Sequence, residues 1–262
     1  METHEIKAVC EAIIAAQREA AELIMHAHGI LTEMKTGHRD VVTKYDKLIQ
    51  ELLIDRLSRA VPNARFFCEE NGRRDELEAE RLFIIDPIDG TMNFVRGFNH
   101  SGISVAFASR GEVLAGVIYN PYVDEMFSAV KGEGAFLNGR PIRVYEGPLS
   151  ESVVCFGTAP YRPELTERSF RLAAKAHMAS LDLRRQGSAA LDLCSVAAGR
   201  AGAYFELDVS PWDHAAGAFI VREAGGVCMT AEGRPLGLVP GKSTILAGGP
   251  RAAAELLQVL ED

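Results

Sequence analysis

Apolar positions in the first sixty residues recur at helical spacing. Ile6, Val9, Ile13, Ile14, Ala21 and Ile24 fall on one stripe, which predicts a helix over residues 5–28, stopped by Gly29. Leu48, Leu52, Leu53 and Leu57 predict a second helix over residues 42–57 with those leucines on one face. "ARFFCEEN" is short and aromatic, then abruptly acidic, and reads as a strand ending in a loop. "LFIIDPIDGTMNF", Leu82 to Phe94, reads as a buried strand that meets Asp86 and Asp89 at its end, before Gly90-Thr91 opens a short helix. Residues 101–144 are β-rich runs divided by turn residues, and Asn138-Gly139 marks a hairpin, so this part predicts an antiparallel meander.

After "EGPLSES" strands and helices alternate. The pattern predicts strands at 152–157, 181–185, 202–206, 226–230 and 243–247, and helices at 164–178, 188–198, 212–224 and 250–260. The stretch near 146–151 is the best boundary. It divides an N-terminal α+β lobe (1–147) from a C-terminal α/β lobe (148–262), short enough to share a core.

Composition changes this picture little. The chain has 262 residues, 47% hydrophobic and 24% charged, as in an ordinary globular protein. No run approaches the roughly 20 apolar residues that cross a bilayer, and the start lacks the apolar core of a signal peptide, so a cytoplasmic protein without membrane contact is expected. Cysteines 10, 68, 155, 194 and 228 are scattered without a CxxC pair, which argues for reduced thiols over disulfides or a zinc site. A net charge of −8 argues against a nucleic-acid partner. It also means that an anionic substrate needs a mediating cation.

That need directs attention to the acids. Two carboxylates in "DPIDG" repel one another unless something positive lies between them, and hard oxygen ligands suit Mg²⁺ or Mn²⁺. Taken alone, the segment is a plain Asp-Pro, Asp-Gly turn. Three companions alter that reading: "FFCEEN" with Glu69 and Glu70, "DVVTKYDK" with Asp46, and "SPWDHAAGAFIVREAGG" with Asp213. Each has a bland account, as a solvated loop or as acids complementing a helix dipole. The small residues at 215–218 suggest close packing against a neighbour.

Together the four segments resemble the inositol monophosphatase family of metal-dependent phosphatases. "DPIDGTMNF" is similar to its D-P-[IL]-D-G-T-x-N-[FY] signature, "CEE" to G-E-E, "DVVTKYDK" to D-x-V-T-x-x-D, and "WDHAAGAFIVREAGG" to W-D-x-A-A-G…E-A-G-G. "GEGAFLNGRPI" and "QGSAALDLCSVAAGR" match as well, so the resemblance spans about residues 35 to 226. It implies a sugar-phosphatase-like fold, a layered α-β-α-β-α sandwich. It implies two or three Mg²⁺ ions on Glu69, Asp86, the Ile88 carbonyl, Asp89 and Asp213, and a water activated beside Glu69 by the Thr91–Asp46 pair. Gly90 and Thr91 then match backbone donors to phosphate, and Glu70 a residue supporting metal water. Gly187, Ser188, Ala189 and Glu206 match groups beside the substrate ring. The implied activity is hydrolysis of inositol 1-phosphate or a related sugar or polyol phosphate. Fructose 1,6-bisphosphate, NADP⁺, histidinol phosphate and adenosine 3′,5′-bisphosphate are alternatives within the superfamily. Met92-Asn93-Phe94 resembles the inositol-phosphatase branch more than the nucleotide-bisphosphate branch. Lithium sensitivity and a homodimer are further implications. Cys68 departs from the family's usual glycine, where a small buried hydrophobe is the simplest account.

Two rivals differ in kind. Haloacid-dehalogenase-type phosphatases carry D-x-D-G-T, whereas the spacing here is D-x-x-D-G-T. A non-catalytic metal-binding regulatory protein would be expected to have lost a ligand or the Thr91–Asp46 pair, and neither is missing. Lys35 and His38 in "KTGHRD" read as a solvated loop, and no histidine is assigned a ligand role.

Overall fold

The fold follows from three apolar clusters that lie between successive layers. The structure is a computed structural model that describes residues 1–37, 40–70, 72, 74 and 76–261, without the side chains of 35–37, 40 and 41. The Lys35–His38 expectation lies outside that description.

The chain begins with α1 (Thr3–Met25), a hairpin of β1 (Thr32–Gly37) and β2 (Asp40–Thr43), and α2 (Lys44–Ala60). Next come β3 (Arg65–Cys68), β4 (Leu82–Asp89) and the short α3 (Thr91–Arg96). The meander follows as β5 (Gly102–Ser109), β6 (Glu112–Asn120), β7 (Glu125–Val130), β8 (Gly134–Leu137) and β9 (Arg140–Ile142). The second half runs β10 (Val153–Phe156), α4 (Thr166–Ala179), β11 (Asp182–Arg184), α5 (Ala189–Ala197), β12 (Ala203–Val209) and α6 (Pro211–Glu223). It ends with β13 (Val227–Met229), β14 (Ser243–Gly248) and α7 (Pro250–Leu260).

Strands β3 to β9 form one sheet in chain order, antiparallel except for the parallel β3–β4 pair. A second sheet has the order β11-β10-β12-β14-β13, with parallel pairs flanking β10 and antiparallel pairs beyond β12. Helices α1 and α2 cover the outer face of the first sheet, α5 and α6 lie between the sheets, and α4 and α7 cover the outer face of the second. The result is the expected α-β-α-β-α sandwich. Strand alternation assigns the faces: on β4, Phe83 and Ile85 join the outer cluster while Leu82 and Ile84 join the middle one. That middle cluster draws on residues from both sides of position 147.

The small residues of α6 let it lie close to its neighbours. A Cβ on Gly116 of β6 would stand 2.9 Å from the Ala216 carbonyl oxygen, and one on Gly217 would stand 2.7 Å from Leu193. Three sequence expectations are corrected. Helix α1 ends at Met25, not residue 28, because its buried stripe ends at Ile24 and the Tyr45 hydroxyl takes over the His28 backbone, accepting from its N–H and donating to its C=O. Leu48 is exposed, since the buried face of α2 is Ile49, Leu53 and Leu57 together with polar Asp46 and Gln50. Val42 belongs to β2, a strand the hydrophobic pattern did not signal.

Candidate functional site

Strands β4 and β12 both end at a cleft of about 550 Å³, lined by Glu69, Asp86, Ile88 to Asn93, Gly187 to Ala189, Glu206, Asp213 and several cationic residues. On β4, spacing alone would separate the two aspartates, because residues three apart in a regular strand face opposite ways. The structure resolves this with a bulge. Asp86 pairs with Ser104 and Asp89 with Gly102, so three steps on β4 face two on β5. The Ile88 side chain therefore turns into the outer core, fully buried. Its N–H donates to Asp86 Oδ1 at 3.1 Å, and its carbonyl lies 3.0 Å from Thr91 Oγ1, whose one proton it shares with Asp46 as alternative acceptors. Pro87 has no N–H to leave unpaired there.

Gly90 follows with φ +90°, and a Cβ on it would lie 3.1 Å from the Gly187 carbonyl oxygen and 3.2 Å from that of His100. Only glycine fits both the conformation and the space. Thr91 Oγ1 also lies 3.2 Å from Asp46 Oδ1. Asp46 is held by the capping box of α2, where Oδ2 accepts from the Thr43 N–H at 2.7 Å and hydroxyl at 2.6 Å. Two segments far apart in sequence thus meet through one hydroxyl.

Glu69 and Glu70 extend β3, and the Glu69 N–H donates to the Ile85 carbonyl at 3.1 Å. Gln50 of α2, wholly buried, clasps the Glu70 backbone, donating to its C=O at 3.0 Å and accepting from its N–H at 2.9 Å. Arg74 donates to the Glu69 carbonyl at 3.0 Å and lies 4.2 Å above the Trp212 ring, tying the Glu69 segment to the start of α6. Cys68 is a buried hydrophobe in the outer core. At α6 the Ser210 N–H donates to Asp213 Oδ2 at 2.6 Å, a capping box that fixes Asp213 in the first turn.

Asp89 Oδ2 accepts from the Ser188 hydroxyl at 2.5 Å and the Ala190 N–H at 2.6 Å, which docks it on the start of α5. Gly187 has φ +84°, and Asn93 Nδ2 donates to the carbonyls of His100 and Gln186, each at 2.7 Å, holding α3 against this segment. On β12, Glu206 precedes a second bulge: it pairs with Ile245 and Val209 with Ser243, again three steps against two. Its carboxylate accepts from the Tyr204 hydroxyl at 2.7 Å and the Ala159 N–H at 3.0 Å. A Cβ on Gly157 would stand 1.9 Å from the Glu206 carboxylate, so any side chain there would displace that carboxylate. Gly157, Tyr204 and Gln50 carried no signal in the sequence. Asn93 stood inside a recognised motif without an assigned task.

The electrostatics of the cleft are those of acids short of a counter-charge. Burial pushes the Asp86 carboxyl well above the usual range, with Glu69, Asp89 and Asp213 adding to the rise. Asp213 is raised in the same way by burial, Asp89 and Glu69. Burial pushes Asp89 up to about 7 even against its hydrogen bonds from Ser188 and Ala190. Glu206 is also raised by burial, opposed by Tyr204, Ala159 and the Arg185 charge. As the side chains stand, no three His, Cys, Asp or Glu among the described residues form a ready-made metal-holding group. The donor chemistry nevertheless fits a hard divalent cation. Glu69, Asp86, Asp89 and Asp213 line one cleft and the last three resist ionisation, first through burial and then through repulsion from neighbouring carboxylates, which a cation would relieve.

This layered fold, with acids at paired strand ends, defines a class that comparison with known proteins specifies. The sequence profile of the inositol monophosphatase family matches residues 5–262. The chain belongs to that family. It is 36% identical over 252 residues to a protein of Pasteurella multocida named Nus factor SuhB, covering 95% of this chain and 94% of that one. Among solved structures it is similar to the extragenic suppressor protein SuhB of Bartonella henselae, with a TM-score of 0.90, 34% identity and coverage of 97% and 99%. The Thermotoga maritima IMPase gives a TM-score of 0.86 at 33% identity, covering 94% of each chain. An IMPase/NADP phosphatase complexed with Mg²⁺ and phosphate gives 0.83 at 25% identity, covering 97% of this chain and 93% of that one. No helix among the described residues is long and apolar enough to cross a membrane.

Proposed function

We propose that this protein is a Mg²⁺-dependent phosphomonoesterase that hydrolyses inositol 1-phosphate or a related sugar or polyol phosphate. The observation that carries the reading is that Asp86, Asp89 and Asp213 line one cleft together with Thr91, whose hydroxyl is hydrogen-bonded to Asp46. Glu69, Asp86, the Ile88 carbonyl, Asp89 and Asp213 hold two or three Mg²⁺, for which Mn²⁺ is a chemical substitute. Mg²⁺ bound there supplies charge that neutralises the phosphate and makes water more acidic.

The chain's own residues do the rest. Asp46, fixed by Thr43, accepts the Thr91 hydroxyl proton, which leaves the Thr91 oxygen able to take a proton from the attacking water. Glu69 shares in orienting that water. Gly90 and Thr91 present backbone N–H groups to the phosphate, and Glu70 would support water at the metal site. Gly187, Ser188 and Ala189 flank the substrate ring, and Glu206 accepts its hydroxyl protons from a position fixed by Tyr204 and Ala159. Lobes 1–147 and 148–262 contribute opposite walls of the cleft. By family resemblance the protein works in the cytoplasm as a lithium-sensitive homodimer. The test is phosphate release from inositol 1-phosphate, hexose phosphates, histidinol phosphate, NADP⁺ and adenosine 3′,5′-bisphosphate, with and without Mg²⁺. Release that requires Mg²⁺ is expected, and no release from any of them sinks the reading.

A second reading is favoured by one observation, the name Nus factor carried by relatives up to 36% identical. On it the chain acts as a Nus factor, with the phosphatase site retained or idle. A variant lacking turnover that still complements loss of such a relative would support it.

A further inference from the structure

Tyr161 lines the cleft without a task in the proposed reaction. It sits on the connection between β10 and α4, is 48% exposed, and shares the cleft wall with Pro160, Glu206, Asp208 and Lys242. Met92 of α3, 42% exposed, adds apolar surface to the same cleft. Acids and cations line most of the rest, and neither a phosphate nor a set of hydroxyls calls for apolar walls.

The segment that carries Tyr161 is held by two acids of β12. Glu206 accepts from the Ala159 N–H at 3.0 Å, in the space that Gly157 leaves for its carboxylate. Asp208, two residues on and also lining the cleft, lies 3.3 Å from Arg162 Nη1 and 2.8 Å from Lys242 Nζ. Between these anchors Ala159 has φ +43°, a left-handed conformation that costs an alanine energy. Its carbonyl accepts from the Arg162 N–H at 2.9 Å, which closes a turn with Pro160 and Tyr161 at its centre. Lys242 Nζ stands 5.8 Å from the centre of the Tyr161 ring, within cation–π range. The ring is thus tethered by the chain on either side and by a cation in space. A tyrosine that merely coated the surface would need none of these ties.

We infer that Tyr161 is a specificity-determining residue: its ring is the platform on which the C–H face of a saturated ring in the substrate's alcohol packs, while Glu206 accepts protons from hydroxyls at that ring's edge. An aromatic face is electron-rich, and C–H bonds next to hydroxyls are slightly positive, so the two attract beyond the apolar area they bury. A closed ring gathers its C–H bonds on a fixed face. An open chain with as many hydroxyls has no fixed face and loses conformational freedom in presenting one. Glu206 then has two tasks, to read hydroxyls and to seat the turn that carries the platform. This rests on the phosphatase reading above and adds to it a contact residue and a preferred shape.

The test uses the purified protein with Mg²⁺ and two esters, inositol 1-phosphate and a hexitol 1-phosphate, which match in carbons, free hydroxyls and phosphate and differ in ring closure. We expect kcat/KM about fivefold higher for the ring ester, as one aromatic packing contact implies. Tyr161→Ala should raise KM for the ring ester about fivefold more than for the chain ester. Tyr161→Phe should recover most of that loss, and Tyr161→Leu, which restores bulk without a flat face, should not. The Ki of inorganic phosphate reports the carboxylate end of the cleft and should stay constant across the variants. Melting curves check the fold, and if Tyr161→Ala does not fold, the Phe and Leu variants carry the comparison. Equal losses on both esters, or a shifted phosphate Ki, would mean that Tyr161 only supports its turn and would overturn the inference. Recovery by Leu as full as by Phe would overturn it too. No phosphate release from either ester sinks the phosphatase reading itself, whereas release from both without a ring preference overturns this inference alone.

Discussion

The ends of β4 and β12 make the most instructive comparison in the molecule. Each strand carries a buried acid, then a one-residue bulge, then a helix whose first turn helps build the cleft. At β4, Asp86 is held by local backbone: Pro87 fixes the turn, the Ile88 N–H holds Asp86, and Gly90 supplies a left-handed step, while Asp89 reaches across to the Ser188 hydroxyl and the Ala190 N–H. At β12 the acid on the strand is held at a distance. Glu206 depends on the Ala159 N–H, on the space left by Gly157 and on nearby Tyr204, while Asp213 is fixed locally by the capping box of α6. A bulge re-aims side chains in both cases. The first end keeps most of its chemistry within a few consecutive residues, whereas the second is assembled from more widely separated segments.

Asp213→Asn tests the two ends at their shared carboxylate group. The asparagine oxygen still accepts from the Ser210 N–H, so the fold should remain. Turnover should fall about a thousandfold, corresponding to about 4 kcal/mol of lost charge stabilisation. Phosphate release and circular dichroism on the same sample check this, and near wild-type rates would remove Asp213 from the site.

Removing metal with EDTA should expose the strain of these buried, crowded carboxylates. Asp86, Asp89 and Asp213 have carboxyls raised above their unfolded values, Asp89 to about 7. Their protonated forms favour the fold. That contribution is complete below the unfolded carboxylate range near pH 4 and is lost as pH rises through about 7. The melting temperature in EDTA should therefore fall between pH 5 and 8, and Mg²⁺ should restore it most at the higher pH. A flat profile in EDTA would mean that burial and neighbouring charges do not raise these acids.

Gly90→Ala should cost about 2 kcal/mol in urea unfolding, since an L-residue at φ +90° is strained and its Cβ meets two carbonyls. At the other end, Ser210→Ala removes only a cap and should cost about 1 kcal/mol. The ratio tests whether the β4 end is the more constrained. Gly157→Ala should have the smallest effect on stability but displace Glu206, raising KM about tenfold with a lesser change in kcat. A KM unchanged in that variant would show that Glu206 does not touch substrate.

Much of this was legible in the chain itself. Hydrophobic spacing located most helices and strands within a few residues, because each layer buries a face whose period matches its element. The Asn138-Gly139 turn was legible because few dipeptides tolerate two left-handed residues, here at φ 50° and 75°. The β1–β2 hairpin was not, since its strands lack an alternating apolar face. Leu48 was assigned to the wrong face of α2 because Asp46 and Gln50, polar by type, occupy the buried one and are paid for by hydrogen bonds to Thr43, Thr91 and the Glu70 backbone.

Sequence by itself determined the acids, their order and the glycine after them, since local backbone demands and motif spacing are written in consecutive residues. Only the tertiary structure decided that Asp86 and Asp89 share a face, because that depends on how β4 registers against β5. It also decided that Asp46 meets Thr91, that Asn93 pins α3 to the Gln186 carbonyl, and that Arg185 stands over Gly187. The physical reason is the same in each case. Hydrogen bonds and charges act over a few ångströms of space, and only the packing of the layers brings residues from distant parts of the chain within that reach.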